Sequence, residues 1–165
     1  MSDVKFGFVY TVREFDASGD LVSETVDRNL IPIEGLNHFI DTTLKNGTPF
    51  PALYCGLGEA DYTPVPADEM ATYPTVATEC TAYTSATRPL ITLGTVANGQ
   101  VSTPTPVVFT GTTNGKVVRT GFVAVNSTKG GTSGPLLSAV KFSSPKALDA
   151  GGKLEVSVAF ASASI

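Results

Sequence analysis

The spacing of apolar residues along this chain changes several times, and most of it follows the alternation of a β-strand. Residues 4–13 place an apolar side chain at every second position, which predicts a strand with one buried face. Residues 16–20 have the composition of a turn, and residues 21–27 return as a second, weaker strand. The chain is therefore predicted to begin with a β-hairpin.

Between residues 28 and 47 the apolar residues change to helical spacing. One stripe of the predicted helix is apolar and consists of Ile33, Leu36, Phe39, Ile40 and Leu44. The opposite stripe is polar and consists of Glu34, His38, Asp41 and Lys45. Pro32 suits a first-turn position, and Asn46-Gly47 suits a left-handed cap at the C-terminal end. Because a helix this short is marginally stable alone, we expect the apolar stripe to pack in the core, against a sheet or a neighbouring subunit.

The rest of the chain consists mainly of short β-rich segments separated by turn residues. The predicted strands fall at residues 52–58, 87–94, 106–110, 116–126, 136–142 and 153–161. Asn98-Gly99 is a weak signal for a hairpin turn, and Asn114-Gly115 is a strong one. The sequence thus predicts a mainly β protein of eight or nine strands. We expect one antiparallel β-sandwich domain over residues 1–165, jelly-roll-like, with one short amphipathic helix.

Residues 59–86 show no regular spacing and are rich in Thr, Ala, Pro and Tyr. A short helical turn at residues 66–71 fits the composition. Connections longer than about 12–15 residues are uncommon in compact domains and are usually functional or disordered. We therefore expect a long, extended, arm-like loop that packs on another molecule through its tyrosines.

Composition and charge exclude some classes of function. The net charge is −4 and only 16% of residues are charged, which argues against a general polyanion binder, because phosphate contacts need Lys and Arg. Residues 1–86 carry four basic and thirteen acidic residues (net −9), and residues 87–165 carry seven basic and two acidic residues (net +5). Two interpretations stay open: two solvated faces of different sign, or a dipole that orients the protein on a charged partner.

The first residues, MSDVKFGFVY, contain no long apolar segment, so we expect no signal peptide and synthesis in a cytoplasm. No segment approaches the roughly 20 apolar residues of a membrane helix. We therefore expect no membrane partner.

Candidate chemistry is sparse. His38 could serve as a general base, but no Ser or Cys stands out as its partner, so we expect a packing helix rather than a catalytic one. One histidine and two scattered cysteines, Cys55 and Cys80, do not make a zinc site, and Cys55 is expected to be a small buried residue. Residues 111–116 resemble a phosphate-binding loop but lack its spacing, so we expect a hairpin turn. A hydrolase that uses loop carboxylates stays open, and its candidates are Asp61, Asp68, Glu69 and Glu79.

Three segments are similar to small virion proteins of tailed bacteriophages. They are NLIPIEGLNHFIDTTL, YCGLGEADYTPVPADEMATYPTVATECTAY and LLSAVKFSSPKALDAGGKLEVSVAF, which cover most of residues 29–160. Within that group the chain most resembles the head decoration, or cement, proteins. The resemblance implies a small β-sandwich that sits as a dimer or trimer on the outside of the capsid and stabilises it by bridging neighbouring capsid subunits. It brings no catalytic residues.

From this resemblance we expect a structural protein with no enzymatic activity, no cofactor, no metal and no small-molecule or nucleic-acid ligand. Its partners would be the major capsid protein and copies of itself, and its location the capsid surface of a virion. A tail or fibre component that binds host glycans or a receptor is the alternative. The expected contact residues are Tyr62, Tyr73 and Tyr83 in the arm and the basic set Arg88, Lys116, Arg119 and Lys129.

Overall fold

The computed structural model describes residues 4–164, and within them nine strands form two antiparallel sheets. The elements in chain order are β1 (Val4–Phe15), β2 (Leu21–Arg28), α1 (Ile33–Leu44), β3 (Leu53–Gly58), α2 (Tyr73–Val76), β4 (Leu90–Ile91), β5 (Gln100–Ser102), β6 (Val107–Thr110), β7 (Val117–Ala124), β8 (Leu136–Ala147) and β9 (Lys153–Ser164). The first sheet has the order β2-β1-β9-β5, and β6 also pairs with β9. The second sheet has the order β4-β3-β7-β8. The predicted antiparallel β-sandwich is confirmed.

The main core lies between the two sheets. Alternate residues of β1, including Tyr10 and Val12, are fully buried against residues of the second sheet such as Leu57. Tyr10 reaches across the core, and its hydroxyl lies 2.7 Å from the hydroxyl of Ser138 on β8. The two cysteines are free and buried, as expected for Cys55. Within the described residues, neither helix is long and apolar enough to cross a membrane.

Two of the predicted hairpins are confirmed. β1 and β2 pair antiparallel, and the Asp16 carboxylate fixes the turn between them by accepting the backbone N–H groups of Ser18 and Asp20. The weak signal at Asn98-Gly99 marks a real two-residue turn. Both residues have positive φ, 52° and 70°, as that turn type requires.

The hairpin predicted at Asn114-Gly115 is wrong. β6 pairs with β9 in the first sheet, whereas β7 pairs with β3 and β8 in the second, so the turn carries the chain from one sheet to the other. Gly115 has a positive φ of 76°, as a turn glycine should. The Asp149 carboxylate accepts the Gly115 N–H at 2.6 Å, so a neighbouring turn holds this one in place.

Helix α1 occupies the predicted residues, but the prediction that its whole apolar stripe is buried is wrong. Gly35 is the buried contact point, because a Cβ there would lie only 2.8 and 2.9 Å from the carbonyl oxygens of Leu136 and Leu137. This close approach rotates the helix so that Phe39 packs against aromatic rings of the core, while the other side of the stripe faces solvent. The exposed fractions are 52% for Ile33, 52% for Ile40 and 77% for Leu44.

The expectation of an extended arm at residues 59–86 is also wrong. The segment folds back over the outer face of the second sheet, where Met70, Tyr73 and Ala77 are fully buried against residues such as Phe122. Gly56 leaves room for the Phe122 ring, since a Cβ at that position would collide with it. The helical turn of the segment forms at Tyr73–Val76 rather than at 66–71. The segment is thus a third layer of the protein.

Candidate functional site

The tyrosines expected to contact a partner lie in the protein's own interior. Tyr73 and Tyr83 are buried, where Tyr73 packs edge-on against Phe122 and Tyr83 against Phe109. Burial raises the pKa of both phenols. Tyr62 is half-buried, and its hydroxyl donates to the Asp68 carboxylate at 2.6 Å, which raises the pKa of Tyr62 to about 12. The prediction that Tyr73 and Tyr83 contact another molecule is therefore wrong, because both are core residues.

The basic residues predicted to contact a partner instead bind mainly to the chain's own segment 59–86. Arg88 is fully buried in an ion pair with Glu79. The prediction that it contacts a partner at the surface is therefore also wrong. The Lys116 ammonium lies 3.0 Å from the Glu59 carboxylate, whose hydrogen bond raises the pKa of that lysine. Arg119 donates to the Glu59 backbone carbonyl at 2.8 Å.

Lys129 completes this set. Its ammonium donates to the carbonyl oxygens of Thr81 and Tyr83, both at 3.0 Å, and lies 3.7 Å from the centre of the Tyr83 ring. Burial lowers the pKa of Lys129. Cations of the second half of the chain thus neutralise acids of the first half, including Asp61, whose carboxylate lies 2.6 Å from the Lys141 ammonium. Three acids of the first half, Glu59, Asp61 and Glu79, therefore pair with cations of the second half.

The candidate general base His38 is half-buried on α1. Its ring packs edge-on against Phe50, with 4.8 Å between the ring centres. The neighbouring Glu34 carboxylate accepts the backbone N–H groups of Met70 at 2.8 Å and Leu136 at 2.7 Å, so its role here is structural. Within the described residues, no group of three or more His, Cys, Asp or Glu side chains could hold a metal ion.

Three of the four loop carboxylates considered for hydrolysis, Asp61, Asp68 and Glu79, each have a different partner. Asp61 is paired with Lys141, which lowers the pKa of its carboxyl through a hydrogen bond. Asp68 accepts the Tyr62 hydroxyl, and Glu79 is buried with Arg88. The geometry gives these groups structural contacts and does not assemble them into an acid–base pair.

The outer face of α1 combines exposed apolar residues with a concave shape. A shallow depression of about 560 Å³ runs along the helix. It is lined by Glu34, Asn37, His38, Ile40, Asp41, Lys45 and Pro135. Beside it run the exposed residues Ile33, Ile40 and Leu44, which we call the α1 apolar row. Such a surface is suited to contact with a protein, through apolar burial along the row and hydrogen bonds in the depression.

The apolar spacing of α1 did not predict this surface, because a helical stripe of apolar residues normally faces the core. Gly35 was the one sequence signal that could have indicated which side of the helix is buried. A glycine inside a helix costs stability, and a close approach of two backbones is a common reason for it.

No protein-family model, curated protein or solved structure matches this chain.

Proposed function

We propose that this protein is a non-enzymatic structural protein of a tailed-bacteriophage virion. It binds the outside of the capsid and stabilises it by bridging neighbouring capsid subunits. Two features support this proposal: the resemblance of three long segments to phage virion proteins, and the β-sandwich that this resemblance implies. Two carboxylates considered for catalysis, Asp68 and Glu79, also support it, since both bind groups of the chain itself.

The single observation that carries the proposal is the α1 apolar row. Ile33, Ile40 and Leu44 lie on one side of a helix that buries its other side, and each is at least half exposed. Exposed apolar residues that are grouped beside a polar rim mark a surface that binds another protein. In this proposal the major capsid protein covers the row, and the depression beside it accepts polar groups of the same partner. The row takes the place of the tyrosine arm as the contact surface.

The test uses capsids that lack this protein and purified protein added back to them. The variant Ile40→Asp/Leu44→Asp places two charges in the row. Val96→Asp is the matched control, because Val96 is 71% exposed and lies outside α1, in the loop before the Asn98-Gly99 turn. We expect the double variant to bind capsids at least tenfold more weakly, which corresponds to about 1.4 kcal/mol of lost contact energy. The control should bind as the unchanged protein does.

A reconstruction of the whole virion gives the second readout. Density for this chain is expected on the exterior of the head, between neighbouring capsid subunits. Density on the tail or its fibres would overturn the proposal in favour of a tail component, and full binding of the double variant would overturn the assignment of the α1 apolar row.

A further inference from the structure

The two sheets differ in whether the backbone groups at the outer edge of their long outer strands, β8 and β2, are covered. β8 is the outer strand of the second sheet, and its outward backbone N–H groups are covered at four positions. The covering contacts are Leu30 pairing with Ala139, Glu34 accepting from Leu136 at 2.7 Å, Asp27 accepting from Ser143 at 3.0 Å and Glu14 accepting from Ala147 at 3.2 Å. Pro145 in the same strand has no N–H to offer. This edge is closed to another strand.

The outer edge of β2 is more open than the outer edge of β8. The Asn29 N–H donates to the Phe8 carbonyl, and by the alternation of antiparallel strands this orients the backbone groups of Thr25 and Asp27 toward β1. The backbone groups of Glu24, Val26 and Arg28 then point away from the sheet. In the part of the chain that the structure describes, β2 pairs with β1 alone.

β2 lacks several of the features that protect an edge strand, although it carries the charged residues Glu24, Asp27 and Arg28. It spans eight residues, LVSETVDR, and contains no Pro, Gly or Lys. Apart from the covered strand β8, the other outer strands, β4, β5 and β6, have only two, three and four residues. Proteins commonly blunt an edge by shortening it or by placing Pro or Lys on it, because an open edge pairs with another chain. Val26 is 62% exposed on the outer face of this strand.

We infer that β2 pairs antiparallel with β2 of a second copy of this chain, about a two-fold axis at Val26. In this register Val26 lies opposite Val26, and Glu24 of each copy lies opposite Arg28 of the other. All three side chains share the outer face of the sheet, because alternate residues of a strand do so. The first sheets of the two copies then join into one continuous sheet.

Charge complementarity selects this register. Arg28 is exposed and has no ion pair among the described residues, and the Glu24 carboxylate is held 2.5 Å from Arg13 on β1. The neighbouring register, with the axis at Glu24, would place two Glu24 side chains opposite each other, and directly opposed like charges destabilise a sheet. The Val26-centred register instead forms two Glu24–Arg28 pairs. The inference goes beyond the proposed function and does not depend on any capsid.

The first test measures self-association of the purified chain by analytical ultracentrifugation. We expect a dimer for the unchanged protein, and at least a tenfold weaker dimer for Val26→Pro and for Val26→Lys. Proline removes an N–H that points away from β1, so the fold should persist, and circular dichroism and thermal unfolding check this. Val96→Lys is the matched control, since it changes another largely exposed valine, 71% against 62% for Val26, outside β2.

The second test exchanges the charges. Arg28→Glu alone places an acidic side chain opposite Glu24 of the other copy, and Glu24→Arg alone places a basic side chain opposite Arg28. Each variant should therefore dimerise at least tenfold more weakly. Mixing the two variants relieves these like-charge contacts by pairing acidic with basic side chains across the axis, and a heterodimer of near-normal affinity should form. A chain that stays monomeric at millimolar concentration, a dimer that tolerates Val26→Pro and Val26→Lys, or a mixture that shows no recovery would each overturn the inference.

Discussion

Arg88 and Glu79 form a two-point ion pair that is almost completely removed from solvent. The Arg88 Nε and Nη2 atoms lie 2.8 and 2.7 Å from the two carboxylate oxygens of Glu79, and the side chains are 0% and 3% exposed. Arg88 also donates to the carbonyls of Asn126 and Gly131, and its guanidinium lies 5.2 Å from the centre of the Phe122 ring. The pair therefore joins the segment 59–86 to β7 and to the loop that follows it.

Replacing Arg88 by Met should destabilise the protein by about 3–5 kcal/mol, because it leaves the Glu79 carboxylate buried without its partner. Lys45→Met is the matched control. It removes an ion pair with Asp41 that is largely exposed, and such pairs contribute only about 0–1 kcal/mol. Urea unfolding measures both changes.

The double variant Arg88→Met/Glu79→Leu should cost less than the sum of the two single changes, since it removes the unpaired charge together with its partner. Strict additivity, or a loss below about 1 kcal/mol for Arg88→Met, would contradict the role of this pair.

Tyr73→Ala should destabilise the protein by about 3–5 kcal/mol, as truncation of a large buried aromatic residue does. Its ring is fully buried and packs on Phe122 and Tyr62. Hydrogen exchange should rise first in residues 59–86, because these contacts hold the third layer on the second sheet. Val76→Ala, at an exposed position of the same turn, is the control. Rapid exchange of the whole segment in the unchanged protein would mean that it is an arm after all.

Apolar spacing and turn residues predicted where the helices and strands lie better than they predicted which strands pair. The bounds of α1 and of β3 follow from apolar spacing, and the turn residues at Asn98-Gly99 and Gly115 have the expected positive φ. The pairing of β6 is different, because the choice between β7 and β9 depends on which side chains bury together across the whole molecule. A turn signal carries no information on that choice when the chain crosses between sheets.

The prediction of an extended arm at residues 59–86 failed for a related reason. The segment's buried apolar residues Met70, Tyr73 and Ala77 do have helical spacing, but they contact the second sheet from a mostly irregular chain in which only Tyr73–Val76 are helical. Two of the ionic contacts that hold it come from residues distant in sequence, Lys116 and Lys141. The sequence shows these residues as an unusual charge distribution, and only the fold shows that the charges pair.

Gly35→Ala should destabilise the protein by about 1–3 kcal/mol, although alanine favours a helix by about 1 kcal/mol over glycine. The added Cβ would lie within 3 Å of two backbone carbonyl oxygens of β8, and backbone cannot move aside cheaply. Asn37→Ala is the matched control on the same helix, where the side chain is exposed and the change should be neutral or slightly stabilising. Denaturant unfolding separates the two. A stabilised Gly35→Ala variant would show that α1 does not rest on β8 in this way.

Stability should fall when the pH rises above about 9, because buried acidic groups stay neutral in the folded chain. Burial raises the pKa of the Cys55 thiol from 9.0 to about 12 and that of the Cys80 thiol to about 11. Burial likewise raises the pKa of the Tyr10 phenol. The unfolded chain releases these protons at lower pH than the folded chain does. The stabilisation is therefore complete below the unfolded value and is lost as the pH rises from there toward the folded value.

Cys55 allows this dependence to be assigned to one residue. A group that ionises only in the unfolded chain lowers the free energy of unfolding by about 1.4 kcal/mol for each pH unit above its unfolded pKa. Between about pH 8 and pH 10, under reducing conditions, Cys55→Ala should therefore lose about 1 kcal/mol less stability than the unchanged protein, whatever its stability at the lower pH. Leu90→Ala, an exposed and non-titrating change on β4, should keep the full loss. Equal losses for Cys55→Ala and the unchanged protein, or reaction of the Cys55 thiol with a thiol reagent in the folded chain at about pH 8, would contradict its burial as a neutral group.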